Sequence, residues 1–214
     1  MSRGPGTELV HHHLLDDGSS APQQRSDTAE TSEPTAPISE AGSGQFVLAD
    51  ATNSTSVADP TVTYEIQVEE GLPFDVSSTA ATIDTILSHP RGWNGGGHRP
   101  QHVDDGDFRI VIATPETADA LCAPLQTRGR LSCRNGDDVV INAWRWQHGS
   151  TDYVDQIENY RIYVINHEVG HVLGHGHRPC PGAGQPAPVM QQQTKGLDSC
   201  QPNVWPLPEE LDHP

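Results

Sequence analysis

The chain has 214 residues, room for one domain and a tail. It carries 29 acidic residues against 12 basic ones, a formal net charge of −17. Such a surface repels phosphate backbones and argues against a nucleic-acid partner. No run approaches the ~20 apolar residues that a membrane span requires.

Residues 1–60 hold one aromatic, Phe46, and are rich in Ser, Thr, Ala, Pro and Gly, with 9 acids against 2 Arg. A segment of this kind cannot bury enough apolar surface to offset its ordering entropy. The reading is a disordered acidic tail or linker over 1–60, its last fifteen residues a transition, and a domain over 61–214. His11 to His13 read as solvated tail residues. Val62, Tyr64, Ile66 and Val68 alternate with polar neighbours, which predicts a half-buried strand. Val76, Ala80, Ile83 and Leu87 are at helical spacing, and Pro90 predicts the stop of a helix over 76–88. The stretch 91–101, with Gly95-Gly96-Gly97, reads as a loop and 108–113 as a buried strand. Pro115 suits the first turn of a short helix over 115–123. Residues 138–146 read as another strand, with Trp144 and Trp146 on one face, lining either the core or a cleft. A long helix is predicted over about 153–173, with Ile162, Ile165, Val169 and Val172 as its apolar stripe. Beyond 178, Pro and Gly leave little regular structure.

That long helix carries the string HEVGHVLGHGH. His167, Glu168, His171, Gly174 and His177 form the pattern H-E-x-x-H-x-x-G-x-x-H. With 12 His, 12 Glu and 20 Gly in the chain, independent placement yields the five fixed residues in roughly two of ten thousand such chains, so chance is a poor explanation. Residues i and i+4 share a helix face, so His167 and His171 can grip one metal ion. A straight helix would swing His177 about 80° off that face. Gly174 can end the helix in the left-handed conformation and turn His177 back. His175 is a competing third ligand, but only if the helix runs through Gly174. Three imidazoles with one open position is the arrangement of a catalytic zinc site. Glu168, beside the first ligand, is placed to act on water as a general base.

The string resembles the zinc signature of the metzincin metallopeptidases. That clan has a methionine turn beneath the metal, and Pro188-Val189-Met190 follows His177 here; Met190 is one of only two Met in the chain. Val62 to Trp205 also resembles a family of extracytoplasmic proteins of high-GC bacteria whose domain has no assigned function and carries a metzincin-like motif. The resemblance implies an α+β zincin: a small twisted mixed sheet, a backing helix, a long active-site helix, then an irregular C-terminal part. It also implies an edge strand along the cleft that pairs with an extended peptide. The matching segment is 139–146, with Val139, Ile141 and Ala143 as substrate-binding residues. Some metzincins carry a Tyr soon after the methionine turn, but here Gln191-Gln192-Gln193-Thr194 follows and no Tyr occurs after residue 163.

Cys122, Cys133, Cys180 and Cys200 contain no C-x-x-C pair. Three pairings exist, and sequence proximity favours Cys122–Cys133 and Cys180–Cys200; four reduced core thiols are the alternative. Disulfides imply an oxidising compartment and hence a secreted or cell-surface protein. No secretory signal is visible near Met1, so the displayed start lies downstream of an export segment or export takes another route. The expected function is hydrolysis of peptide bonds in a peptide or protein substrate by a monomer holding one zinc ion, Glu168 serving as general base. The alternative is a non-catalytic zinc-bearing domain that binds peptide or cell-wall ligands. Such a domain has no need of a carboxylate at Glu168.

Overall fold

The computed structural model describes Met1 and residues 36–53 and 56–212, and His11 to His13 lie outside these. The fold is α+β, with a small mixed sheet. Strand β1 is Phe46–Leu48, β2 Val62–Glu69, β3 Pro100–His102, β4 Phe108–Ala113, β5 Cys133–Asn135 and β6 Asp138–Asn142. The order is β1-β2-β4-β6-β5, and β3 pairs with the first residues of β2, at the opposite end of that strand from β1. The central strands β2, β4 and β6 are parallel, with Ile66 opposite Ile110 and Ile110 opposite Val139. Both outermost strands, β1 and β5, run antiparallel to their neighbours.

The alternation in β2 buries Tyr64, Ile66 and Val68 and leaves Thr63, Glu65 and Gln67 half-buried. On the first face the core joins these to Ile110, Ile112, Val139 and Ile141, under helices α1 (Val76–Ser88) and α4 (Ile157–Val172). The second face has a smaller cluster of Val111, Ala113, Val140, Ala118 and Cys122, covered by α2 (Pro115–Cys122). Asp75 caps α1 by accepting from Ser78 N (2.8 Å).

Four expectations need correction. The expected boundary at residue 60 is too late, because β1 joins the sheet and Ala49 is buried. Buried Glu69 carries the reason: its carboxylate accepts from Gly44 N (2.8 Å), Thr114 N (2.7 Å) and Thr117 Oγ1 (2.8 Å). It thereby ties the chain before β1 to the start of α2, where a negative charge suits the helix N-terminus. The stretch 91–101 is only partly loop, since Trp93–Gly96 is a 3₁₀ turn and β3 follows. The strand expected over 138–146 stops at Asn142, whose side chain accepts from Arg145 N (3.3 Å) and starts helix α3 (Ala143–His148). Trp146 is therefore core, and Trp144 packs against the guanidiniums of Arg130 and Arg145, 5.0 and 5.1 Å from its ring centroid. Finally, α4 begins at Ile157, while its expected stripe does face the core, with Ile165 and Val169 inside it and Ile162 and Val172 packed against it. Residues 163–170 are buried on every side, while Ile162 and Val172 are only half-buried.

Replacing Glu69 by Ala would leave Thr114 N and Gly44 N without an acceptor. Urea unfolding should show a loss of about 2–4 kcal/mol; a loss below about 0.5 kcal/mol would contradict this role.

Candidate metal centre

Helix α4 ends at Val172, and the chain closes in a Schellman turn. Gly174 N donates to His171 O (3.3 Å) and His175 N to Gly170 O (2.9 Å). Gly174 has φ +96°, a conformation that L side chains rarely adopt. The turn returns the chain so that His167, His171 and His177 each offer a ring nitrogen within 4.8 Å of the other two. These are the three ligands read from the string. His175 goes elsewhere: its ring is buried, stacked on Trp93 at 4.4 Å between centroids.

Hydrogen bonds fix which nitrogen is free. His167 Nδ1 donates to Val189 O and His171 Nδ1 to His175 O, both at 2.8 Å. A carbonyl only accepts, so the proton is on Nδ1 in both rings and the Nε2 lone pairs face the cluster. His171 Nε2 and His177 Nε2 are 3.1 Å apart. Two nitrogens on a tetrahedral ion at 2.0–2.1 Å stand about 3.3–3.4 Å apart, so the pair is already close to that spacing. Burial holds the His167 imidazole down at about 3 and lowers His171 and His177 as well. Neutral rings with lone pairs aimed inward are what a metal ion needs, and the residues fit one.

Glu168 is 5% exposed and lies on the floor of a cleft of about 460 Å³. Among the described residues nothing donates a hydrogen bond to its carboxyl. Burial pushes it up to about 8, and the ammonium of Lys195 pulls the other way. The cleft continues along Leu125 to Thr127 and Leu131 to Arg134, which includes the start of β5. Here the expected cleft strand needs correction. Val139, Ile141 and Ala143 are fully buried, and β6 is paired on both edges by β4 and β5. The edge strand beside the cleft is β5, three residues long and rich in polar side chains, hence weak as a strand signal.

Met190 is fully buried beneath α4. A Cβ on Gly170 would overlap Met190 Sδ and approach Trp93 Cζ2 at 2.7 Å, so helix and turn touch through a glycine. The turn's carbonyls serve the ligands: Val189 O holds His167, and Met190 O accepts from Arg178 N (3.1 Å), next to His177. Its N–H groups go to one buried carboxylate, since Glu210 accepts from Val189 N and Met190 N, both at 2.9 Å. Glu210 belongs to α5 (Pro208–Leu211). The sequence holds no signal for it, because Pro208-Glu209-Glu210 reads as an ordinary helix start with solvated acids. The following Gln residues also work inside the protein. Buried Gln193 accepts from Tyr153 OH (2.7 Å) and donates to Asn203 O (2.7 Å) and Pro188 O (3.1 Å). Tyr163 OH donates to Gln191 O (3.0 Å). Disulfides Cys122–Cys133 and Cys180–Cys200 are both present, as proximity favours. The first closes the loop along the cleft, and the second brackets Met190.

The chain belongs to the family described as "Protein of unknown function (DUF3152)", which it matches over residues 32–208. No curated protein and no solved structure matches it.

Glu210→Ala touches no ligand, yet it frees the backbone that orients His167. Competition with a chelator should show divalent-metal affinity lower by about tenfold or more, the usual effect of losing such a support. Unchanged affinity in a folded variant would contradict the brace.

Proposed function

We propose that the chain is a zinc-dependent peptide-bond hydrolase of the metzincin type that works outside the cytoplasm. The observation that carries this reading is Glu168, a buried carboxyl with no donor among the described residues, beside His167, His171 and His177, whose ring nitrogens converge within 4.8 Å. The methionine turn under the ligands and the edge strand along the cleft support it. All four Cys are paired, which supports an oxidising compartment.

His167, His171 and His177 would hold the ion. Zinc, when bound, supplies a Lewis acid for the scissile carbonyl and lowers the pKa of a water towards ~7. Glu168 takes the proton from the attacking water and delivers it to the leaving amine. Strand β5 ends the sheet, so an extended peptide can add to its outer edge, with main-chain hydrogen bonds supplying affinity. His175 contributes its carbonyl to His171 and leaves its ring on Trp93, so it takes no part as a ligand.

A casein or peptide-library digest, run with and without chelator, tests the reading. Cleavage should appear and stop on chelation. Glu168→Ala should keep its zinc and lose at least 10²–10⁴-fold in rate. His177→Ala should lose zinc, and His175→Ala should largely retain it. A Glu168→Ala protein that cleaves at the wild-type rate contradicts the mechanism.

A further inference from the structure

The charge around the cleft runs against the sign of the protein. The chain has more than twice as many acids as bases. Among the described residues lining the metal cleft, however, Glu168 is the only acid, whereas Arg134 and Lys195 both line it. Lys195 is the chain's one lysine. It also borders two recesses that continue the cleft. One runs by Tyr163, Gln192 and Thr194; the other is lined by His177, Arg178 and Asp198 among others.

Several arginines elsewhere are tied into the fold, whereas Arg91, Arg128 and Arg178, like these two cations, have neither an ion pair nor a side-chain hydrogen bond among the described residues. Arg109 pairs with Asp138, Arg130 pairs with Glu40, Arg145 donates to Arg130 O and Gly149 O, and Arg161 donates to Trp146 O. Among the described residues, the side chains of Arg134 and Lys195 have neither a carboxylate within ion-pair distance nor a hydrogen bond. Both are exposed. One stands on β5 and the other on the turn after Met190. An acidic protein that leaves two cations unneutralised at one cleft focuses a positive potential there and draws anions to it.

We propose that the cleft selects peptides bearing carboxylates close to the scissile bond, recognised by Lys195 and Arg134. This rests on the hydrolase reading for its reaction but not for its recognition chemistry. The carboxylate is either an acidic side chain or the free C-terminus of a short substrate. A single exposed cation adds only a few-fold, so the selection comes from the two together and weakens with salt.

Binding without turnover separates this proposal from the reaction. The probe set is a fluorescent alanine-based decapeptide with glutamates flanking its central bond, its glutamine and lysine counterparts, and each as free acid or C-terminal amide. Anisotropy is read with zinc-loaded Glu168→Gln protein. The glutamate peptide should bind about tenfold or more tighter than the glutamine one at low salt, and the gap should shrink several-fold in about 0.5 M NaCl. Adding Lys195→Gln and Arg134→Gln should abolish the preference, while Lys195→Arg should preserve it. If affinity follows the free acid in all three sequences and disappears on amidation, the recognised carboxylate is the chain terminus; if it follows glutamate in the amides, it is the side chain. Equal binding of all peptides, a preference for lysine, no measurable binding of any peptide, or a preference that survives Lys195→Gln/Arg134→Gln would overturn the proposal. Absence of hydrolysis by the wild type, with the binding preference intact, would instead refute the hydrolase reading alone.

Discussion

Two consecutive peptide units, those of Val189 and Met190, hold the centre together. Their carbonyls face the metal-ligand segments, bonding His167 Nδ1 and the backbone N–H beside His177. Their N–H groups face a single buried carboxylate, Glu210. A buried carboxylate is costly unless its oxygens are satisfied, and a buried backbone N–H is costly unless it has an acceptor. Each defect is the other's remedy, so the turn has few alternative arrangements. The ring of His167 inherits that definition through one hydrogen bond.

The helix above this turn sits close to it. Gly170 lies between the ligands His167 and His171 and presents no side chain to Met190 and Trp93. The ligand helix therefore rests directly on a methionine sulfur and an indole. Trp93 also donates to Asn166 O (2.9 Å) and stacks on His175, whose carbonyl orients His171. These packing and hydrogen-bonding contacts position the rings of His167, His171 and His175. Tyr160 and Tyr163 on the same helix, and Tyr153 in the turn before it, fasten the chain after Met190 by hydroxyl hydrogen bonds, and Cys180–Cys200 closes the loop outside them.

The readable parts of the site were those encoded by local spacing. The His string, Gly174 and Met190 could be located because a helix period and a turn relate them over a few residues. Strand β2 and helix α1 were readable for the same reason, as were two disulfides between sequence neighbours. What escaped was non-local or locally ambiguous. Val139, Val140 and Ile141 form an apolar run with no alternation, so nothing in it marks the strand's end, and Asn142 acts as a helix cap only because α3 packs there. The edge position went to β5, whose three residues include Arg134 and Asn135 and carry almost no strand signal. Phe46 to Leu48 looked like part of a tail because its pairing with β2 depends on Glu69. Glu69 and Glu210 are buried acids that serve backbone N–H groups twenty or more residues away in sequence, and such acids look solvated until the fold exists.

The central claim is that these three imidazoles, and no other side chains, hold one zinc ion with a position left open. X-ray absorption at the zinc edge on protein loaded with one equivalent of zinc tests it most directly. The account predicts three imidazole nitrogens at about 2.0–2.1 Å and one further light-atom scatterer from solvent. A sulfur shell near 2.3 Å, a fourth imidazole, or zinc that fails to bind stoichiometrically would contradict it.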